Sequence, residues 1–315
     1  MSARQSRIRI GSAPDSWGVW FADDPSQAPA SRFLDEVATA GYEWIEIGPY
    51  GYLPTDAGEL SDELEKRGLK VSAGTVFSAL HRPGSWDDVW RQVTYVADLT
   101  RAMGGQHIVV IPDLYRDHKT GADIESRHLG DEQWDRLATG TDELGRRIMD
   151  EYGLKVQFHS HADSHVGYQE DIERFLAATN PDHVNLCLDT GHVAYYGGDN
   201  LDLVRRFGER IGYLHLKQVD PGIVARVEAE DLTFPQAVRL GVMVEPPHGV
   251  PDLAPLLSAV EDLGTDIFAI VEQDMYPCPP DKPLPIARRT HTYLSTCGGA
   301  AVEIGTPKIP TNTSL

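Results

Sequence analysis

Eight short runs rich in β-branched and aromatic residues alternate, along almost the whole chain, with longer stretches of helical period. Predicted strands cover Ile8–Ser12, Trp44–Ile47, Lys70–Val76, His107–Ile111, Lys155–His159, Val184–Leu188, Ile211–Leu216 and Phe268–Glu272. Runs such as "HIVVI" and "FAIVE" are almost continuously apolar, as parallel strands covered on both faces must be. Helices are predicted over 31–40, 60–67, 86–103, 131–152, 169–179, 201–207, 252–263 and 284–297. Gly41, Gly68 and Gly104 follow the first three, where a left-handed residue closes a helix. Repeated strand–helix units predict an α/β fold, a single-domain (β/α)8 TIM barrel over residues 1–298. A stretch without periodicity, 299–315, reads as a C-terminal tail. The interval between the seventh and eighth strands is longer than the others. It holds a predicted helix, 231–239, and the loop "EPPHGVPD", an insertion placed over the carboxyl face. A doubly wound open sheet is the rival, but the first strand runs into "GSAPDSWG", without the Gly-rich turn that fold uses for nucleotides.

With 315 residues, one barrel accounts for the chain, and no apolar stretch approaches the roughly 20 residues of a membrane span. The short basic start lacks an apolar signal region, which predicts a cytoplasmic protein. Cys187, Cys278 and Cys297 are odd in number and share no metal-binding spacing, so free and mostly buried thiols are expected. A formal charge of −20 excludes a nucleic-acid partner, which needs clustered Lys and Arg, and leaves a small molecule as the expected substrate. Association into a homo-oligomer is compatible with the sequence.

Barrel chemistry belongs at the carboxyl ends of the strands. Read in order, those positions offer Asp15 and Trp17, Glu46 and Tyr50, His81, Asp113, His159 and His161, Asp189 and His192, His215 and Lys217, then Glu272, Gln273 and Asp274. A single His in such a place is usually a hydrogen-bonded loop residue. His159, Asp189, His215 and Glu272, on four consecutive strands, together predict one divalent metal, with His161 the alternative to His159. Two imidazoles and two carboxylates favour Mn²⁺ or Co²⁺, with Zn²⁺, Fe²⁺ or Mg²⁺ as further choices, over Ca²⁺. Trp17 and Tyr50 are candidate walls of a substrate pocket. Glu46, a carboxylate inside the apolar "WIEIG", is a candidate for substrate hydroxyls or for orienting a ligand. His81, Asp113 and Gln273 are further substrate-binding candidates, though His81 also reads as a loop cap, and Glu245 and His248 are candidates for a lid.

The segments "LCLDTGH", "GYLHLK" and "FAIVEQD", in that order, resemble the sugar phosphate isomerase/epimerase-like superfamily of xylose-isomerase-type barrels. "FHSHADS", "DTGHVAYYGGD", "HLKQVDP" and "VEQD" are most similar to its inosose dehydratase branch, and the likeness runs from "GSAPDSWG" through the eighth helix. The resemblance implies metal ligands at the ends of strands five to eight. Where most isomerases and epimerases of the superfamily carry a fifth-strand Glu, this chain has His159; it also has Gln218 where "HLKD" is commoner, and Asp163-Ser164 where dehydratases often have Gly. The two-base epimerases use that Glu and the counterpart of Glu272 on opposite faces of the substrate. With His159 in place, one base remains, which suits elimination of water from a keto-inositol: Glu272 takes the proton, and His161, His192 or Lys217 serves as acid. The rivals are a ketose or keto-inositol isomerase or epimerase, a DNA phosphodiesterase of the endonuclease IV kind, which the net charge opposes, and a non-catalytic sugar binder. No Gly-rich phosphate loop follows the last two strands, so an unphosphorylated substrate is expected.

Overall fold

The computed structural model describes residues 7–297; the tail expected over 299–315 lies outside the described residues. Eight parallel strands close into a barrel: β1 Ile8–Ser12, β2 Trp44–Glu46, β3 Lys70–Ser78, β4 His107–Pro112, β5 Lys155–His159, β6 Val184–Asp189, β7 Ile211–Leu216 and β8 Ile267–Val271, with β8 pairing β1. β3, β4 and β6 run further than expected, and β6 ends on Asp189 itself. β8 stops at Val271, so Glu272 is the first residue past its strand.

Side chains alternate across a strand. Ala73, Val109, Ile111, Cys187, Tyr213, Phe268 and Ile270 form one cluster inside the barrel, a packed floor rather than a channel. Two residues on, the same alternation turns Cys187 into Asp189, Tyr213 into His215 and Ile270 into Glu272. Register sets their depth. Asp189 pairs with His215, whereas His159 pairs with Cys187 and Ile270 with His215. The four candidate ligands therefore climb in two-residue steps with the tilt of the strands, rather than lying on one level.

The helices bury their apolar stripes against the outside of the barrel. In Asp131–Tyr152 the buried Trp134, Leu137, Ala138, Thr141, Leu144 and Ile148 recur every three or four residues. Gln133 accepts the Gly130 N–H at its start, and Gly153 closes it in the left-handed conformation. Ala57–Glu65 starts three residues earlier than periodicity suggests, because Asp56 accepts the Glu59 N–H. The insertion holds two helices, Pro221–Glu230 and Phe234–Arg239, and the antiparallel pair Gln218–Val219 with Met243–Val244. Asp231, left-handed at φ 50°, ends the first helix; the helix expected over 231–239 therefore begins at Phe234. Of the free cysteines, Cys187 is buried and Cys278 and Cys297 are half-buried, so the expectation of mostly buried thiols holds for one. No helix among the described residues is long and apolar enough to cross a membrane.

Candidate active site

His159, Asp189, His215 and Glu272 converge at the carboxyl mouth of the barrel, and one donor atom from each lies within 4.8 Å of the others. His159 directs Nδ1 to the Ser160 carbonyl at 2.5 Å, which leaves Nε2 as a lone pair 3.4 Å from Asp189 Oδ2. Asp189 Oδ1 is occupied by the amides of Gly191 and His192, both at 2.9 Å, so Oδ2 is the atom turned inward. His215 donates Nε2–H to Glu46 at 3.0 Å and turns Nδ1 towards Glu272 Oε2 at 2.9 Å. Asp189 Oδ2 and His215 Nδ1 are buried without a hydrogen bond of good geometry. Buried orphans of opposite character, facing one another among N and O donors, fit a bound divalent cation. Each imidazole also has the outer acceptor that ligating histidines have.

The charges agree with that reading. Burial alone would raise the carboxyl of Asp189, yet Lys217 and His192 hold it well below the usual range. Glu272 is likewise lowered against burial, by His215 and Lys217. His215 is raised well above an ordinary imidazole despite burial, by Cys187, Glu272 and Glu46, and the proton so held is the one a metal displaces. Glu46 lines the cavity, but both of its oxygens are taken, by Thr75, Tyr213 and His215. Of its two expected roles the contacts support orienting a ligand. Glu46→Ala is expected to weaken divalent-metal affinity about 10- to 100-fold, measured by competition with a chelating dye. Unchanged affinity would mean that Glu46 does not position His215.

Lys217 Nζ sits 3.2 Å from Asp189, 3.0 Å from Glu272 and 3.0 Å from Asp274. Gly191 permits this approach: a Cβ there would fall 2.3 Å from Lys217 Cβ. The ammonium is fully engaged and raised well above its usual pKa by those carboxylates, against burial. His192 accepts the Ala162 N–H at Nδ1, faces Lys217 with Nε2, and is absent from the cavity wall. His161 lines the cavity, but its Nδ1 is committed to the Ala162 carbonyl at 2.6 Å and burial depresses its pKa, so it presents a bare nitrogen. Of the three acid candidates, His161 and Lys217 line the cavity and His192 does not.

That cavity, about 550 Å³, is lined by two of the four donors, His159 and Glu272. Tyr50 and Asp113 line it, Tyr50 stacked on Tyr95 and Asp113 paired with Arg82 at 2.5 Å. Trp17 does not: it is buried against Phe33, with its indole N–H on Glu36 at 2.8 Å. Trp20 takes the wall instead, donating to Asp274 and stacked between Tyr276 and Phe234. His81 is buried against Glu125, and Gln273 donates to the Met243 carbonyl; neither faces the cavity. Glu245 is bound to Arg289, away from the wall, and His248 is also absent from it, so neither covers the site. The cavity adds Asp15, His118, Arg116 and Phe234, which sequence reasoning did not assign to it. Asp15 is raised well above an ordinary carboxyl, by burial first and then by Glu272 and Asp274.

Asp163 ties the surrounding loops together. Left-handed at φ 58°, it accepts the Phe234 N–H at 2.9 Å, pairs with Arg116 at 3.3 Å, and gives its own N–H to Tyr196 Oη at 3.0 Å. Phe234 thereby rests on the rings of His161 and His192.

The chain belongs to the xylose isomerase-like TIM barrel family, whose sequence signature matches residues 34–296. More particularly, it is 30% identical over 296 residues to the inosose dehydratase of Lacticaseibacillus casei, covering 91% of this chain and 96% of that one. It is 28% identical over 302 residues to the inosose dehydratase of Geobacillus thermodenitrificans, covering 94% and 99%. Among solved structures, the IolI protein with a bound zinc atom matches 92% of this chain and 99% of its own, with a TM-score of 0.71. Its 18% identity carries the fold alone.

Proposed function

We propose that the protein is a metal-dependent carbon–oxygen lyase that dehydrates an unphosphorylated keto-inositol. The observation that carries this is the poverty of bases among the four donors. His159 has one nitrogen hydrogen-bonded and the other facing Asp189, while Asp189 Oδ1 accepts two backbone amides and Oδ2 faces His159, His215 and Lys217. Glu272 lines the cavity, with Oε2 facing His215 and Lys217. One base on one face removes a proton but cannot return it from the other side, as epimerisation requires. Likeness to inosose dehydratases over nearly the whole chain supports the same reading.

His159 Nε2, Asp189 Oδ2, His215 Nδ1 and Glu272 would hold the ion, Mn²⁺ or Co²⁺ by donor type. When bound, it polarises the ketone and stabilises the negative charge that develops beside it. Glu272 takes the proton α to the ketone. The β-carbon–oxygen bond breaks, and the departing hydroxyl receives the proton that Asp15 carries, leaving as water. Asp15 takes the acid role in place of His161, His192 and Lys217 because it faces the cavity and burial, with Glu272 and Asp274, raises its carboxyl. Trp20 and Phe234 give the cavity an apolar wall. Three unpaired thiols suit a reducing cytoplasm.

The test is incubation of the Mn²⁺ and Co²⁺ forms with 2-keto-myo-inositol in D₂O, followed by NMR. Loss of water to a trihydroxycyclohexane-dione is expected. An epimeric ketone with no water lost would overturn the proposal.

A further inference from the structure

Away from the cavity, three loops meet at a second group of ligand-type side chains. His81 follows β3, Glu125 lies in the loop after β4, and His165 follows β5. His81 Nε2 and His165 Nε2 lie 2.9 and 3.3 Å from the same oxygen, Glu125 Oε1, and the two rings are 4.5 Å apart.

The protons are what make the group unusual. His165 Nδ1 is 2.8 Å from the Arg127 carbonyl, an atom that only accepts, so Nδ1 carries the hydrogen of the neutral ring. Nε2 is then a bare lone pair pointed at a carboxylate oxygen, where burial keeps water away from the imidazole. Two acceptors facing each other need something positive between them, a proton or a metal ion.

Two features select the metal. Donor separations of 2.9 and 3.3 Å sit near the edge of a tetrahedron with bonds of about 2.0–2.1 Å. The outer nitrogen of His165 is held by a backbone carbonyl, the partner that ligating imidazoles usually have, and Arg82 donates at 2.6 Å to Glu125 Oε1 itself, taking one lone pair of that oxygen and leaving the other for the ion. Protons would join each ring to Glu125 separately, whereas one ion joins all three.

We propose that His81, Glu125 and His165 form a second divalent-cation site of the zinc type, with an open fourth position reached past the partly exposed Glu125. The ion fastens the loop between β4 and the next helix, whose Leu114, Arg116 and His118 wall the cavity, to the loops on either side.

Full-length protein stripped with a chelator and titrated with Zn²⁺ should bind two equivalents. His165→Asn, which keeps an amide donor for the Arg127 carbonyl, should bind one, and Asp189→Ala should also keep one. Saturation of the wild type at one equivalent, or two equivalents in His165→Asn, would overturn the site. Wild-type crystals grown with Zn²⁺ provide a check independent of folding of the variant. Anomalous scattering should place a peak between the three donors; a peak at the barrel mouth alone would refute this site while leaving the proposed lyase untouched.

Discussion

Glu272→Gln is expected to lower turnover by about 10²- to 10⁴-fold and to abolish exchange of the substrate's α-proton with D₂O, the loss typical of a missing general base. Asp15→Asn should lower dehydration by a similar factor and yet leave α-proton exchange measurable, since the acid acts on the leaving hydroxyl. NMR of the two variants side by side separates the roles. Exchange that persists in Glu272→Gln would move the base elsewhere, with the bare His161 nitrogen the first place to look. Measured metal content guards against a trivial loss, because the amide of Gln keeps an oxygen donor.

Lys217→Met is expected to destabilise the metal-free protein by about 3–5 kcal/mol, the usual consequence of stranding buried charge. In thermal unfolding this corresponds to a fall on the order of 5–10 °C for a chain of this size. Three carboxylates lie within 3.2 Å of the ammonium, which is almost fully buried. A divalent ion offsets the same negative charge, so added Mn²⁺ should restore more stability to the variant than it gives the wild type. Equal stabilisation of both proteins would show that Lys217 and the ion act on separate charges.

The barrel and the four converging donors were readable in the sequence because backbone pairing dictates them. Once eight apolar runs are recognised, the alternation of side chains sends Asp189, His215 and Glu272 inward, whatever their loops do. Loop residues obey no such rule. Trp17 and Trp20 are three positions apart, and the one-turn helix Pro14–Trp17 that turns the first into the core leaves no periodic trace. His192 looked available as an acid, but Nδ1 accepts a backbone amide 30 residues earlier in the chain and Nε2 faces Lys217 rather than the cavity wall. Asp15 and Asp274 stood in plain view after their strands. Their closeness to one another and to Lys217 depends on β1 meeting β8, which only closure of the barrel brings about. Pro221–Glu230 escaped notice because Val227 is its one buried residue, leaving almost no apolar stripe to detect.

Asp163 has a consequence for how such a protein can diversify. Its carboxylate joins the loop after β4 through Arg116 and the insertion after β7 through Phe234, while its backbone N–H meets Tyr196 after β6. Loops on a barrel are commonly exchanged one at a time between relatives, because each is anchored separately at its own strand. Here two loops share one side chain, so transplanting the loop after β5 from a relative with Gly at this point would leave Arg116 and the Phe234 amide without this acceptor. Pocket-facing residues of these loops can be changed with Asp163 kept, whereas trading the loop that carries it unfastens both neighbours.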